Sequence, residues 1–144
     1  MSGKEKRDHI EQFVKRFDGQ AVDAHYLGYF ECFNRQLYFE AHEVLEQLWL
    51  KLRKEPDGNF YKALIQLAGA FVHIQNGRSQ PALSLFRLAR NHLNDYPKIH
   101  HCLELREVFE LIEQWSREIT LTSTPGSLLL MKAPPKLVLS AFDF

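Results

Sequence analysis

Apolar residues along this chain recur with a helical period, and short Gly- and Pro-containing stretches interrupt them. The interruptions fall at Gly19, Gly28, Pro56-Asp57-Gly58-Asn59, Gly77, Pro97 and Thr124-Pro125-Gly126. Between them the spacing is helical rather than alternating, which predicts about six helices. The first covers about residues 4–17, where Ile10, Phe13, Val14 and Phe17 make one stripe. The second covers about 24–36, with Asp23 as N-cap and Tyr26, Phe30, Phe33 and Leu37 inward. The third covers about 38–54 and stops before Pro56. The fourth covers about 59–76, opened by Asp57 or Asn59 and closed by Asn76-Gly77. The fifth covers about 80–95, capped by Ser79, with Pro81 in the first turn where its missing N–H has no helical partner. The sixth covers about 99–119, with Leu105, Val108, Phe109, Ile112, Trp115 and Ile119 on one side.

The end of the chain reads differently. Thr120 to Ser127 is turn-like, and Pro134-Pro135 forbids a helix. Leu137, Val138, Leu139, Phe142 and Phe144 are too apolar for a free tail. An extended segment within about 120–144 is expected to dock on the bundle or on a second subunit, with both faces covered. The expectation is therefore an all-α fold, residues 1–144 forming one compact bundle around a central hairpin of the third and fourth helices.

Composition narrows the function classes. The 144 residues are 45% hydrophobic and 25% charged, an ordinary globular mixture. Lys plus Arg number 18 and Asp plus Glu number 18, so the chain lacks the basic excess that coats nucleic acid or anionic membrane. Cys32 and Cys102 have neither zinc-ligand spacing nor the density of a disulfide scaffold. Residues 1–18 hold no continuous apolar run of the secretory kind, and no apolar run is long enough to span a bilayer. A cytoplasmic setting is the expectation, as monomer or homodimer, with the partner unspecified. No phosphate loop, GxGxxG, GxSxG or Cys-His nucleophile pair is present.

The sharpest chemical signal lies in the third helix, Tyr38-Phe39-Glu40-Ala41-His42-Glu43-Val44-Leu45-Glu46-Gln47-Leu48-Trp49. On a helical wheel Ala41, Leu45, Leu48 and Leu52 fill one arc, while Glu40, Gln47, Lys51 and Lys54 take the opposite face. His42 and Glu46 fall on the flank of the apolar arc beside Trp49, one turn apart, and Glu43 on its edge. A buried carboxylate is costly unless paired or bound to a metal. His at i with Glu at i+4 makes two neighbouring ligands, close to an HExxH zinc helix with Glu46 in place of the second His. The alternative is that His42 simply hydrogen-bonds Glu46 or a backbone carbonyl. The fourth helix is apolar around most of its girth, with one differing strip of Gln66, Gly69, Ala70 and His73. Gln66 and His73 project alike and either face His42 and Glu46 or belong, with Lys62 and Asn76, to a wet strip. His100-His101 reads as surface.

The segments Phe39 to Trp49 and Ala63 to His73, followed by Gly77 and Ala82, resemble the domain of unknown function 309 family over about residues 26–95. That family is all-helical, and its members are often labelled metal-dependent hydrolases. The resemblance implies that His42, Glu43, Glu46, Trp49, Gln66 and His73 are its motif positions. Metal-assisted hydrolysis is then the expectation, with a divalent metal ion on His42, Glu46 and His73. Glu43 would be general base, and Gln66 and Trp49 would meet the substrate. The fourth and fifth helices also resemble one tetratricopeptide unit, through Ala70, Gly77, Ala82, Phe86 and Ala89. A lone unit cannot make the array such repeats need, so the competing expectation is a non-catalytic helical interaction module.

Overall fold

The computed structural model describes residues 23–140. The helix expected over 4–17, and Phe142 and Phe144 of the C-terminal segment, lie outside the described residues. The elements are α1 (Ala24–Asn34), α2 (Tyr38–Leu52), α3 (Gly58–Gln75), α4 (Ser79–Leu93), β1 (Ile99–His100), β2 (Leu103–Glu104), α5 (Leu105–Thr120) and α6 (Pro125–Met131). The fold is all-α, with helices packed on one another around α3. The expected second to fifth helices fall within about two residues of their observed bounds. Among the described residues no helix is long and apolar enough to cross a membrane.

The central helix α3 is buried on nearly every side, from Phe60, Ala63 and Leu64 through Phe71 to Ile74. Its Phe71 ring meets Phe33 of α1, Tyr38 of α2, Phe86 of α4 and Trp115 of α5. One side chain thus joins five helices. The α3–α4 hairpin turns at Gly77, whose φ of 73° is the left-handed conformation that glycine adopts freely. Gly77 N–H donates to Ile74 O at 3.0 Å, and Arg78 N–H to His73 O at 2.9 Å, which satisfies carbonyls left open at the helix end. Ala70, Ala82, Phe86 and Ala89 are fully buried, as close packing of the hairpin demands.

Asp23 caps α1 as expected, its carboxylate accepting from His25 N–H at 2.7 Å. Ser79 does not cap α4. It is the first helical residue, and Arg78 holds the cap position without a side-chain bond. Two larger departures lie further on. The sixth helix starts at Leu105, not at 99, because residues 99–104 form a two-stranded antiparallel hairpin. The stretch read as turn-like, Thr120 to Ser127, contains the start of α6, in which Pro125 occupies the first turn, where its missing N–H costs nothing. Pro125 and Leu129 are buried, and a Cβ at Gly126 would sit 3.4 Å from Ile74 O, so α6 seats against the end of α3.

Beyond α6 the described residues, up to 140, run without helix or strand and dock on their own bundle. Asn34 holds it: its side-chain NH2 donates to Leu137 O, and Leu137 N–H donates to Asn34 Oδ1, both at 2.7 Å. The amide thereby imitates a neighbouring strand. Leu137 is buried, but Val138 is 71% exposed, so only one face of this segment is covered. Asn34→Ala removes both bonds and should cost about 1–2 kcal/mol, read as a lower urea midpoint. An unchanged midpoint would mean that the segment contributes nothing to stability.

Tyr38 stacks on Phe71 with ring centroids 5.0 Å apart, yet its buried hydroxyl has no hydrogen-bond partner among the described residues. Burial pushes the phenol well above its ordinary pKa. Tyr38→Phe keeps the stacked ring and removes the unsatisfied group. Its expected outcome is a stabilisation of about 1 kcal/mol, checked by thermal melting.

Candidate functional site

The polar residues of α2 and α3 meet along a groove of about 320 Å3. Phe39 and His42 line it from α2, Lys62, Gln66 and His73 from α3, and Leu85 from α4. The absence of a side chain at Gly69 makes room: a Cβ there would lie 3.0 Å from Leu85 Cδ1. A larger hollow of about 440 Å3 between the end of α4 and α5 has mostly apolar walls, including Leu93, Leu105 and Phe109. The smaller groove gathers the groups able to act on a ligand.

His42 lies between two carboxylates. Its Nε2 is 3.3 Å from Glu46 Oε2, one turn along, and its Nδ1 is 3.4 Å from Glu43 Oε1. Neither contact has hydrogen-bond alignment, and Nδ1 is buried without a hydrogen-bond partner among the described residues. His42, Glu43 and Glu46 each bring a donor atom within 4.8 Å of the others, and all three are partly buried. The structure thus joins His42 and Glu46, as their spacing implied, and adds Glu43 to the same group. Glu46 is not a buried carboxylate; its side chain is 40% exposed. Glu40, read as solvated, is partly covered.

His73 lines the groove with His42 but does not join the three-residue donor group. Its Nδ1 is also buried without a partner among the described residues. Burial, and then the positive charge of Arg78, lower its proton affinity, which favours the neutral imidazole. Gln66 is 8% exposed, and its Oε1 pairs with His92 Nδ1 of α4 at 3.0 Å. Trp49 and Glu46 are not among the groove-lining residues. Trp49 instead carries the Lys62 ammonium over its ring, 4.4 Å from the centroid.

A second polar cluster escaped the sequence reading. Asp57 occupies the N-cap position of α3, but its side chain makes no cap bond. Its carboxylate is bound by His100 Nε2 at 2.7 Å and His101 Nε2 at 2.6 Å. Partial burial works to raise the Asp57 pKa, but the bonds from His101 and His100 prevail and hold it below the carboxylate range. His100 is therefore not the simple surface residue its neighbourhood suggested. The only sequence signal was two adjacent imidazoles; their carboxylate lies 43 residues earlier for His100 and 44 for His101.

Residues 26–85 match the model of a family described as Domain of unknown function (DUF309). The matched stretch runs from within α1 to within α4 and contains both walls of the groove. It bears out the family resemblance of the helix 38–52 and 58–75 motifs. Asp57 lies inside the matched stretch, whereas His100 and His101 lie outside it. Neither a curated protein nor a solved structure matches the chain.

Proposed function

Taking residues 26–85 as a domain of that family, we propose that the groove between α2 and α3 is a metal-dependent hydrolytic site for a small anionic substrate. One observation carries this reading: His42 Nδ1 and His73 Nδ1 are both buried without a hydrogen-bond partner among the described residues, and both residues line one groove. Native chains seldom leave buried polar atoms unsatisfied, and a ligand in the groove would satisfy them. The donor set of one imidazole and two carboxylates fits a borderline or hard divalent ion such as Zn2+ or Mn2+. His42 and Glu46 would hold the ion, with Glu43 beside them. When bound, it would supply an activated water at neutral pH.

The chain's own groups supply the rest. Lys62 places a cation on the groove wall and would draw an anionic substrate. The Gln66 carbonyl is occupied by His92, so its NH2 remains to orient a substrate oxygen. His73, kept neutral by its surroundings, presents an acceptor nitrogen that can take a proton. Cys32 and Cys102 form no disulfide among the described residues, which fits a reducing, cytoplasmic setting. The competing reading is an interaction module in which His42 only bridges Glu43 and Glu46. Partly exposed pairs of that kind contribute about 0.2–1 kcal/mol each.

The test is hydrolysis of nitrophenyl phosphate and bis(nitrophenyl) phosphate, both anionic, by protein loaded with Zn2+ or Mn2+. The expected result is metal-dependent turnover that falls at least about tenfold in both His42→Gln and His73→Gln. Lys62→Gln should mainly raise KM. Equal rates in wild type and His42→Gln, or no turnover with either metal, would overturn the reading.

A further inference from the structure

We propose that Asp57, His100 and His101 form a second divalent-metal site, independent of the groove and selective for Zn2+-like ions. Three observations converge on it. The donor atoms are already together: one carboxylate and two imidazole Nε2 atoms lie within 4.8 Å of one another. A set of two nitrogens and one carboxylate suits Zn2+, Co2+ or Ni2+ and disfavours Mg2+ and Ca2+, which prefer oxygen.

The rings are also held in place. Phe60 meets the edge of His100 at 4.7 Å between centroids, and Tyr61 stacks on His101 at 6.1 Å with planes 3° apart. Tyr96 flanks His100, and its hydroxyl accepts from Phe60 N–H and donates to Pro56 O. That hydroxyl ties the wall of the cluster to the residue preceding Asp57.

The backbone is strained where the cluster needs it. His101 and Cys102 have φ of 47° and 63°, the two left-handed positions of a tight hairpin that Asn-Gly normally fills. Asn, Asp and His tolerate this conformation better than other side chains, so the strain falls on Cys102. Neighbouring strand residues point to opposite faces, so this turn is what lets adjacent His100 and His101 address one carboxylate. Three bonds maintain it: Tyr26 OH donates to His101 O at 2.9 Å, and Ser140 N–H and Oγ–H donate to Cys102 O at 2.7 and 3.1 Å. Strain held by surrounding contacts is characteristic of functional positions.

Without an ion, the two Nε2–H groups donate to the two carboxylate oxygens. An ion would take the place of those protons, each neutral ring keeping its single proton on Nδ1 instead of Nε2 by exchange through solvent. Ligand bonds of about 2.0–2.2 Å require the donors to spread by less than about 1 Å. The partly exposed His101 ring can give that distance. Three protein ligands leave a fourth position for water or another ligand. Occupancy would clip the start of α3 to the β hairpin, and through Tyr26 and Ser140 to α1 and the C-terminal segment.

The test is thermal melting of the full chain with ZnCl2 or MgCl2, joined to Co2+ absorption spectroscopy. Zn2+ at about a hundredfold excess over its Kd should raise Tm by several degrees, and Mg2+ should not. Asp57→Asn keeps the side-chain shape, and His101→Asn keeps a residue suited to positive φ. Both should lose a Zn2+-induced increment in Tm and the corresponding Co2+ band, while Glu43→Gln/Glu46→Gln retains them. If the two histidines serve only the turn, His101→Asn will match or exceed wild-type stability and respond to Zn2+ as wild type does. That result, or wild-type protein with no Co2+ band, overturns the proposal. Loss of the response in Glu43→Gln/Glu46→Gln alone would assign the ion to the groove and overturn it too.

Discussion

Phe71→Ala should remove about 3–5 kcal/mol of stability, a large part of what a domain of this size possesses. Phe71 is completely buried, and its ring lies 5.0–5.6 Å from the rings of Tyr38, Trp115, Phe86 and Phe33. Three of those contacts are edge-on and one is stacked, the geometries favoured by the ring quadrupole. Truncation leaves a cavity bounded by four large, stiff rings on four helices, which can collapse only if the helices move. The expected observation is a sharply lower urea midpoint with little change in slope. A loss below about 1 kcal/mol would show that the rings close over the gap and that Phe71 is not the keystone of the bundle.

Gly58→Ala is expected to cost about 2–3 kcal/mol, for a different reason. A Cβ at Gly58 would stand 2.3 Å from Arg53 O and 2.7 Å from Arg53 C, which is backbone and cannot rotate aside. The chain turns back here between α2 and α3, and Gly58 N–H donates to Glu55 O at 2.9 Å. An added methyl would push the first turn of α3 away and carry Asp57 with it. Two measurements check this: a lower denaturation midpoint, and a weakened Zn2+-induced rise in Tm. A midpoint within about 0.5 kcal/mol of wild type would mean that the turn relaxes at no cost.

The helices were legible in the sequence because their burial follows the helical period that apolar spacing reveals. The fates of residues 99–104 and 125–131 were not. His101-Cys102 lacks the Asn-Gly signature of a tight hairpin, and the turn exists through bonds from Tyr26 and Ser140, which are remote in sequence. Thr124-Pro125-Gly126 reads as a turn, yet Pro suits a first helical turn and Gly126 permits close approach to α3. The same division runs through the candidate site. His42 and Glu46 share one helix face, so their proximity followed from spacing. Gln66 with His92, and Asp57 with the two histidines, are joined only by tertiary packing. His73 was placed on the correct wall of the groove, but wheel geometry says nothing about reach, and it stands outside the donor group it was expected to complete.

His42 belongs, on this reading, to a metal site rather than to a surface ion pair. Zinc retained after equilibrium dialysis tests it most directly, in an Asp57→Asn/His101→Asn background that removes the hairpin donors. About one equivalent is expected in that background, and most of it should be lost when His42→Gln is added. Equal zinc retention with and without His42 would contradict it.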